Sequence, residues 1–249
     1  SNDNAYIDLV GEFEFPGRYK LEDGTRLVDI YKRAGGIKSS GFPLGGILTR
    51  ESVKEKEILA LKRAEEELSD ILASAVVSGV LTQSTSDVVA LMSLMTNVKN
   101  TEPTGRLISE LNPIKIERGD LSLNIILKPG DTIYIPKPSN TITIVGSVLN
   151  PVSVPYNPSL SFKDYIQLAG GFKEYADEEK GYIILPNGKS TKPKKNLSLF
   201  RANNIILPGS TIIIPRDARP LTGFTLVEAI TPVLANLSIT AASIASINK

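Results

Sequence analysis

Four lysines crowd one short stretch of the chain. Lys189, Lys192, Lys194 and Lys195 follow Asn187 and Gly188, a pair that reads as a hairpin turn between apolar runs. Clustered ammonium groups are either a solvated loop or a contact for anions, here an acidic polysaccharide or phospholipid head groups. No aromatic stripe accompanies them, which argues against a groove that stacks sugar rings. Beyond these lysines, the usual agents of chemistry are missing: the 249 residues include no Cys and no His. That removes disulfides, thiolate zinc sites and thiol catalysis, together with the commonest general base and metal ligand. A catalyst would have to be built from Ser, Lys, Asp, Glu or Tyr alone, and no catalytic signature occurs in its expected context. A carboxylate-only Ca²⁺ or Mg²⁺ site is chemically open, but no EF-hand spacing is present. The Gly41–Gly46 stretch lacks the Lys-Ser/Thr ending of a phosphate-binding loop. No catalytic residue, metal site or cofactor is expected, and the reading by subtraction is a binding or assembly protein.

The elements that carry the lysines belong to a repeat. Ile7–Gly17 (IDLVGEFEFPG) matches Ile142–Val152 (ITIVGSVLNPV) at an offset of 135 residues. The same offset maps Asp29 onto Asp164, and Ala34, Gly35 and Gly36 onto Ala169, Gly170 and Gly171. A fourth landmark, Lys128–Pro136 (KPGDTIYIP) against Leu207–Pro215 (LPGSTIIIP), recurs at an offset of 79. The first copy therefore carries 56 more residues, the difference between the two offsets. In each copy a β-branched strand (Ile142 to Val148 in the second) ends at a proline turn, and a short strand follows, Arg18–Leu21 or Ser153–Tyr156. A helix comes next. Thr25 is expected to cap it in the first copy, with Leu27, Ile30, Tyr31 and Ala34 inward; Ser161 and Asp164 form a capping box in the second. Asp29 and Asp164 sit where negative charge complements the helix dipole. The first glycine of each pair suits the left-handed position just past the helix. The implied unit is α+β, a mixed sheet on one helix.

The ordered set Val-Gly, Pro-Gly, a helix ending Ala-Gly-Gly, then Pro-Gly-Asp before an alternating strand resembles the SLBB domain, a β-grasp module. Two copies followed by an apolar tail resemble the outer-membrane polysaccharide export proteins of capsule and exopolysaccharide secretion. The resemblance covers roughly residues 7–52 and 101–216. Val152 in place of the glycine after proline and Ser210 in place of the aspartate are departures in the second copy. The resemblance implies a fold of two tandem β-grasp domains: a leader 1–6, a first domain 7–138 with a helical insertion 53–100, a second domain 139–216 and a C-terminal apolar helix 217–249. It implies a non-enzymatic subunit of the periplasm and outer membrane of a Gram-negative bacterium. The partners it implies are further copies in a homo-oligomeric ring, a capsular or extracellular polysaccharide, the inner-membrane export machinery and the outer membrane. The alternative is a soluble β-grasp ligand- or glycan-binding module without a pore role. Members of the family carry an export domain and a secretion signal ahead of these units, so the chain is expected to be a piece of a longer protein.

Two further segments bear on assembly. Residues 53–78 read as a helix with Leu61, Ala64, Leu68, Ile71, Leu72 and Ala75 at helical spacing, and 87–98 as a second with Val88, Leu91, Met92, Leu94 and Met95. They form a hairpin, its first helix either a solvated amphipathic helix packed on its own domain or a helix that meets a neighbouring subunit. From Ala229 to Asn248 there is no charged residue. As a helix this would reach roughly 30 Å, with Ile230, Leu234, Leu237, Ala241 and Ile244 on one face. Starting instead at Thr231 and Pro232 it would reach roughly 24 Å. The helix packs on the soluble domains, lies at a membrane surface, or lines a ring; the family resemblance favours the ring. The charges nearly cancel, 28 Lys and Arg against 27 Asp and Glu, which argues against a nucleic-acid partner.

Overall fold

The computed structural model describes residues 5–77, 85–118, 121–193 and 206–216. They fall into two compact units, one of residues 5–50 and 106–216 and one of residues 51–105. The C-terminal segment with Ile230, Leu234, Leu237, Ala241 and Ile244 lies outside the described residues. Among the described residues no helix is long and apolar enough to cross a membrane.

The first unit holds two mixed five-stranded sheets. One is built from β1 (Tyr6–Gly11), β2 (Gly17–Lys20), β3 (Ile47–Thr49), β4 (Arg106–Leu107) and β5 (Thr132–Ile135), in the order β2-β1-β5-β3-β4. The other is built from β6 (Thr141–Gly146), β7 (Val152–Pro155), β8 (Tyr182–Ile184), β9 (Ser190–Thr191) and β10 (Thr211–Ile214), in the order β7-β6-β10-β8-β9. Position for position the two orders are the same. The central pairs β1–β5 and β6–β10 are parallel and every other pair is antiparallel. The α+β class expected from the repeat is therefore what forms.

Alternation explains the cores. Ile7 and Leu9 of β1, Leu48 of β3, and Ile133 and Ile135 of β5 are buried on one face against α1 (Leu27–Arg33). Ile142, Ile144, Ile183, Ile212 and Ile214 repeat the arrangement against Phe162, Tyr165 and Ile166 of α4 (Phe162–Leu168). Each such side chain, fully buried, contributes roughly 1.5–3 kcal/mol of transfer free energy. The glycine that ends β1 or β6 has no substitute. Gly11 and Gly146 have φ of +87° and +94°, and a Cβ there would lie 2.2 Å from the Ile135 carbonyl oxygen and 2.1 Å from that of Ile214.

The helix ends are made differently in the two copies. In the second, Ser161 Oγ accepts the Asp164 amide at 3.3 Å, and the Asp164 carboxylate accepts the Ser161 amide at 2.7 Å. The Ser161 backbone amide first, and the Ser161 hydroxyl next, hold the Asp164 carboxyl below its ordinary range. In the first copy Thr25 is not the cap. Its hydroxyl donates to the Glu22 carbonyl at 2.8 Å, and α1 begins one residue later, after Arg26. Arg26 has no acceptor to offer. Asn124 supplies one from far along the chain, its Oδ1 accepting the Val28 amide at 3.0 Å. Both helices end at Ala-Gly, with Gly35 at φ +73° and Gly170 at φ +83°.

The chain between β3 and β4 runs through α2 (Glu51–Val77) and α3 (Thr85–Lys99). Within their own compact unit these helices pair through Leu61, Ala64, Leu68, Leu91 and Val98. Lys99 Nζ lies 3.4 Å from Glu65 Oε1. The Glu57 carboxylate, 7% exposed, accepts the amides of Thr104 and Gly105 at 2.7 and 2.8 Å, which ties the end of the hairpin to its beginning.

Candidate functional site

The two lysines of the basic stretch that fall among the described residues, Lys189 and Lys192, line a cleft. Lys194 and Lys195 lie outside the described residues. Lys189 closes the β8–β9 hairpin: the Gly188 amide donates to the Leu185 carbonyl at 2.7 Å, and the Leu185 amide to the Lys189 carbonyl at 2.9 Å. Asn187 Oδ1 accepts the Lys189 amide at 3.1 Å and stiffens the tip. The Asn-Gly pair is thus a turn, as its sequence indicates.

This turn lies against the first sheet. A Cβ on Gly188 would fall 2.1 Å from Arg106 Nη1, and one on Gly45 would fall 3.2 Å from Pro186 Cβ. Arg106 is 7% exposed at this joint. Beside it opens a cleft of about 320 Å³, with Pro43, Leu44 and Leu111 from the first half and Ile183, Leu185 and Leu207 from the second. The polar wall adds Glu110 and Lys115, which are far from the basic stretch in sequence. No aromatic side chain is among the described lining residues.

The electrostatics are unequal. Glu110 is engaged by its own neighbours: Oε1 accepts the Asn112 amide at 3.0 Å, and Oε2 lies 3.4 Å from Lys115 Nζ. Behind it Tyr31 donates to the Leu111 carbonyl at 3.1 Å, and burial, with the Glu110 charge second, pushes its phenol above the ordinary range. Among the described residues Lys189 and Lys192 have no ion pair, and both are exposed. The cleft combines an apolar floor, hydroxyl and amide groups, and a positive rim. Chemically, that set is of a kind suited to an anionic, hydroxyl-rich ligand. Among the described residues no group of three or more carboxylates comes together.

Comparison with known proteins bears first on the second sheet. Residues 141–194 match the SLBB domain, a span from β6 to just past β9. In the first sheet the corresponding stretch is interrupted by residues 50–105. The chain is also 24% identical over 162 residues to the polysialic acid transport protein KpsD of Escherichia coli. That alignment takes in 64% of this chain and 28% of the relative, and a second KpsD sequence from the same organism matches to the same extent. The matched part of the chain thus spans a little over a quarter of the length of those relatives. Both findings support the recognition drawn from the motifs, a polysaccharide export family with SLBB domains.

Proposed function

We propose that the chain is part of a polysaccharide export subunit of the periplasm and outer membrane of a Gram-negative bacterium. Its two sheet units are read as tandem SLBB-type β-grasp domains, the first interrupted by a helical hairpin. Copies of the subunit assemble into a homo-oligomeric ring through which capsular or extracellular polysaccharide passes. The inner-membrane machinery delivers the polymer, and the C-terminal helix approaches the outer membrane. The subunit makes and breaks no bonds.

The observation that carries this reading is one strand order used twice, in a chain whose second copy matches the SLBB domain and which is similar to a polysialic acid transport protein. A symmetric ring is the ordinary way for a repeated subunit to enclose a path. Negative-stain imaging of the full-length protein in detergent tests it. Ring particles are expected, and a strict monomer under those conditions overturns the assembly. The second reading, a glycan-binding module without a pore role, is favoured by the cleft. Saturable glycan binding by a protein that stays monomeric at full length would select it.

A further inference from the structure

We infer that the cleft between the two sheet units binds an anionic sugar unit of the transported polymer, an inference that rests on the export reading. A volume of about 320 Å³ suits a ligand of one or two sugar rings, at the small end of the range for small-molecule pockets. The charge balance sets the class. Glu110 is held by Lys115 and the Asn112 amide, so among the described lining residues the charges without an ion pair are those of Lys189 and Lys192. An ammonium group is a compact point charge with three donors, suited to a carboxylate whose orientation varies along a polymer. Asn187 Oδ1 is taken by the Lys189 amide, which leaves the Asn187 amide nitrogen to donate to a sugar hydroxyl. Leu111 and Ile183 give the apolar face of a ring a dry floor. With no aromatic platform among the described residues, affinity rests on charge and falls as salt rises.

The site also has a built geometry. The Lys189 backbone is fixed by a hairpin whose Gly188 lies against the Arg106 guanidinium, so the rim adjoins the joint between the sheets. A lipid head group offers the same charge, but the walls from both sheets favour a ligand that enters the cleft over a flat membrane surface.

The test is calorimetric titration of the 249-residue chain with short sialic acid oligomers and with uncharged dextran oligomers of equal length, at low salt. Saturable binding of the acidic oligomer is expected, at least about tenfold tighter than the neutral one. Lys189→Glu with Lys192→Glu should weaken it at least about tenfold, while Lys163→Glu with Lys173→Glu, exposed lysines elsewhere, should change it less than about twofold. Circular dichroism confirms that each variant is folded. Absent saturable binding, equal binding of the neutral oligomer, or an unchanged affinity in the Lys189/Lys192 variant overturns the inference. So does displacement of the sugar by phosphatidylglycerol vesicles at equal anion concentration, which would assign the cleft to head groups. Ring imaging is scored separately. Rings without cleft binding overturn this inference alone, and cleft binding without rings overturns the assembly alone.

Discussion

Five residues, 185–189, carry the chain from β8 to β9, whereas 56, residues 50–105, carry it from β3 to β4. The ladders on either side are unaffected. Leu48 pairs with Leu107 and Thr49 with Arg106, as Ile183 pairs with Thr191 and Ile184 with Ser190. Closing the longer connection costs on the order of 2 kcal/mol more, because loop entropy grows only with the logarithm of length. The helical hairpin gathers its own apolar cluster, which offsets that cost. Strand order and the flanking pairings are thus the same whether the connection is short or long.

A second difference runs through the interior. In the first copy Arg50 clamps Asp131, with Nε and Nη2 each 2.8 Å from a carboxylate oxygen, and Asp131 is fully buried. The carboxylate also accepts the Lys128 amide at 2.9 Å, and its hydrogen bonds are the main reason the Arg50 guanidinium is pushed above its usual range. In the second copy the equivalent positions are Leu185 and Ser210, and Ser210 Oγ accepts the Leu207 amide at 3.1 Å. The local turn bond is kept while charge and counter-charge disappear together. The Ser210 departure is therefore one half of a paired exchange. The largest effect follows from it. Asp131→Ala leaves Arg50 without its partner and should cost about 3–5 kcal/mol in urea unfolding. Arg50→Leu combined with Asp131→Ser, which copies the second unit, should lose far less than either single change. A double variant as weak as the singles would break the comparison.

The strand-end glycines should behave alike. Gly11→Ala and Gly146→Ala each place a Cβ about 2 Å from a carbonyl oxygen at positive φ, so each should cost roughly 2–4 kcal/mol by the same unfolding measurement. One variant tolerated and the other not would show that the two strand ends are not equivalent.

The helix caps sharpen the comparison at a smaller scale. Ser161→Ala removes the hydroxyl acceptor in the second copy and should cost about 1 kcal/mol. In the first copy the corresponding loss comes from Asn124→Ala, also about 1 kcal/mol, whereas Thr25→Ala should be milder because that hydroxyl serves the preceding turn. Thermal unfolding of the three variants checks the order.

Those caps also mark how far the sequence can be read. Gly, Pro and β-branched residues announce backbone demands locally, so the landmarks at offset 135 fell on β1 and β6, on α1 and α4, and on the turns after them. The α+β class and the SLBB resemblance followed from them. Thr25 misled because it precedes the helix like a cap, and the true acceptor, Asn124, is 96 residues from the amide it serves. The partner of Arg50 is 81 residues away. β4 and β9 span two residues each, too few to show alternation. At the cleft, Lys189 stood out in a charge run, but Glu110 and Lys115 are ordinary charges on another segment. Only the packing of one sheet on the other brings them to the same wall, and no local pattern encodes that.

The smallest effect is an exchange on the sheet surface. Asp8 and Arg18 face each other across β1 and β2 with contacts of 2.9 and 3.1 Å; in the second copy Thr143 and Ser153 occupy those positions, hydroxyl to hydroxyl at 3.0 Å. The hydrogen bond from Arg18 holds the Asp8 carboxyl below its ordinary range. A depressed carboxyl contributes stability above its unfolded value, about 3.9, and loses it as pH falls through the folded value. Both side chains are well exposed, so solvent and salt screen the pair. Asp8→Thr with Arg18→Ser should therefore lower the urea midpoint only slightly at neutral pH and low salt. The gap to the parent chain should close as pH drops below about 4, and also at neutral pH as salt is raised. A gap that persists in acid would mean that the hydroxyl pair packs worse than the ion pair and that the exchange is not one of charge alone.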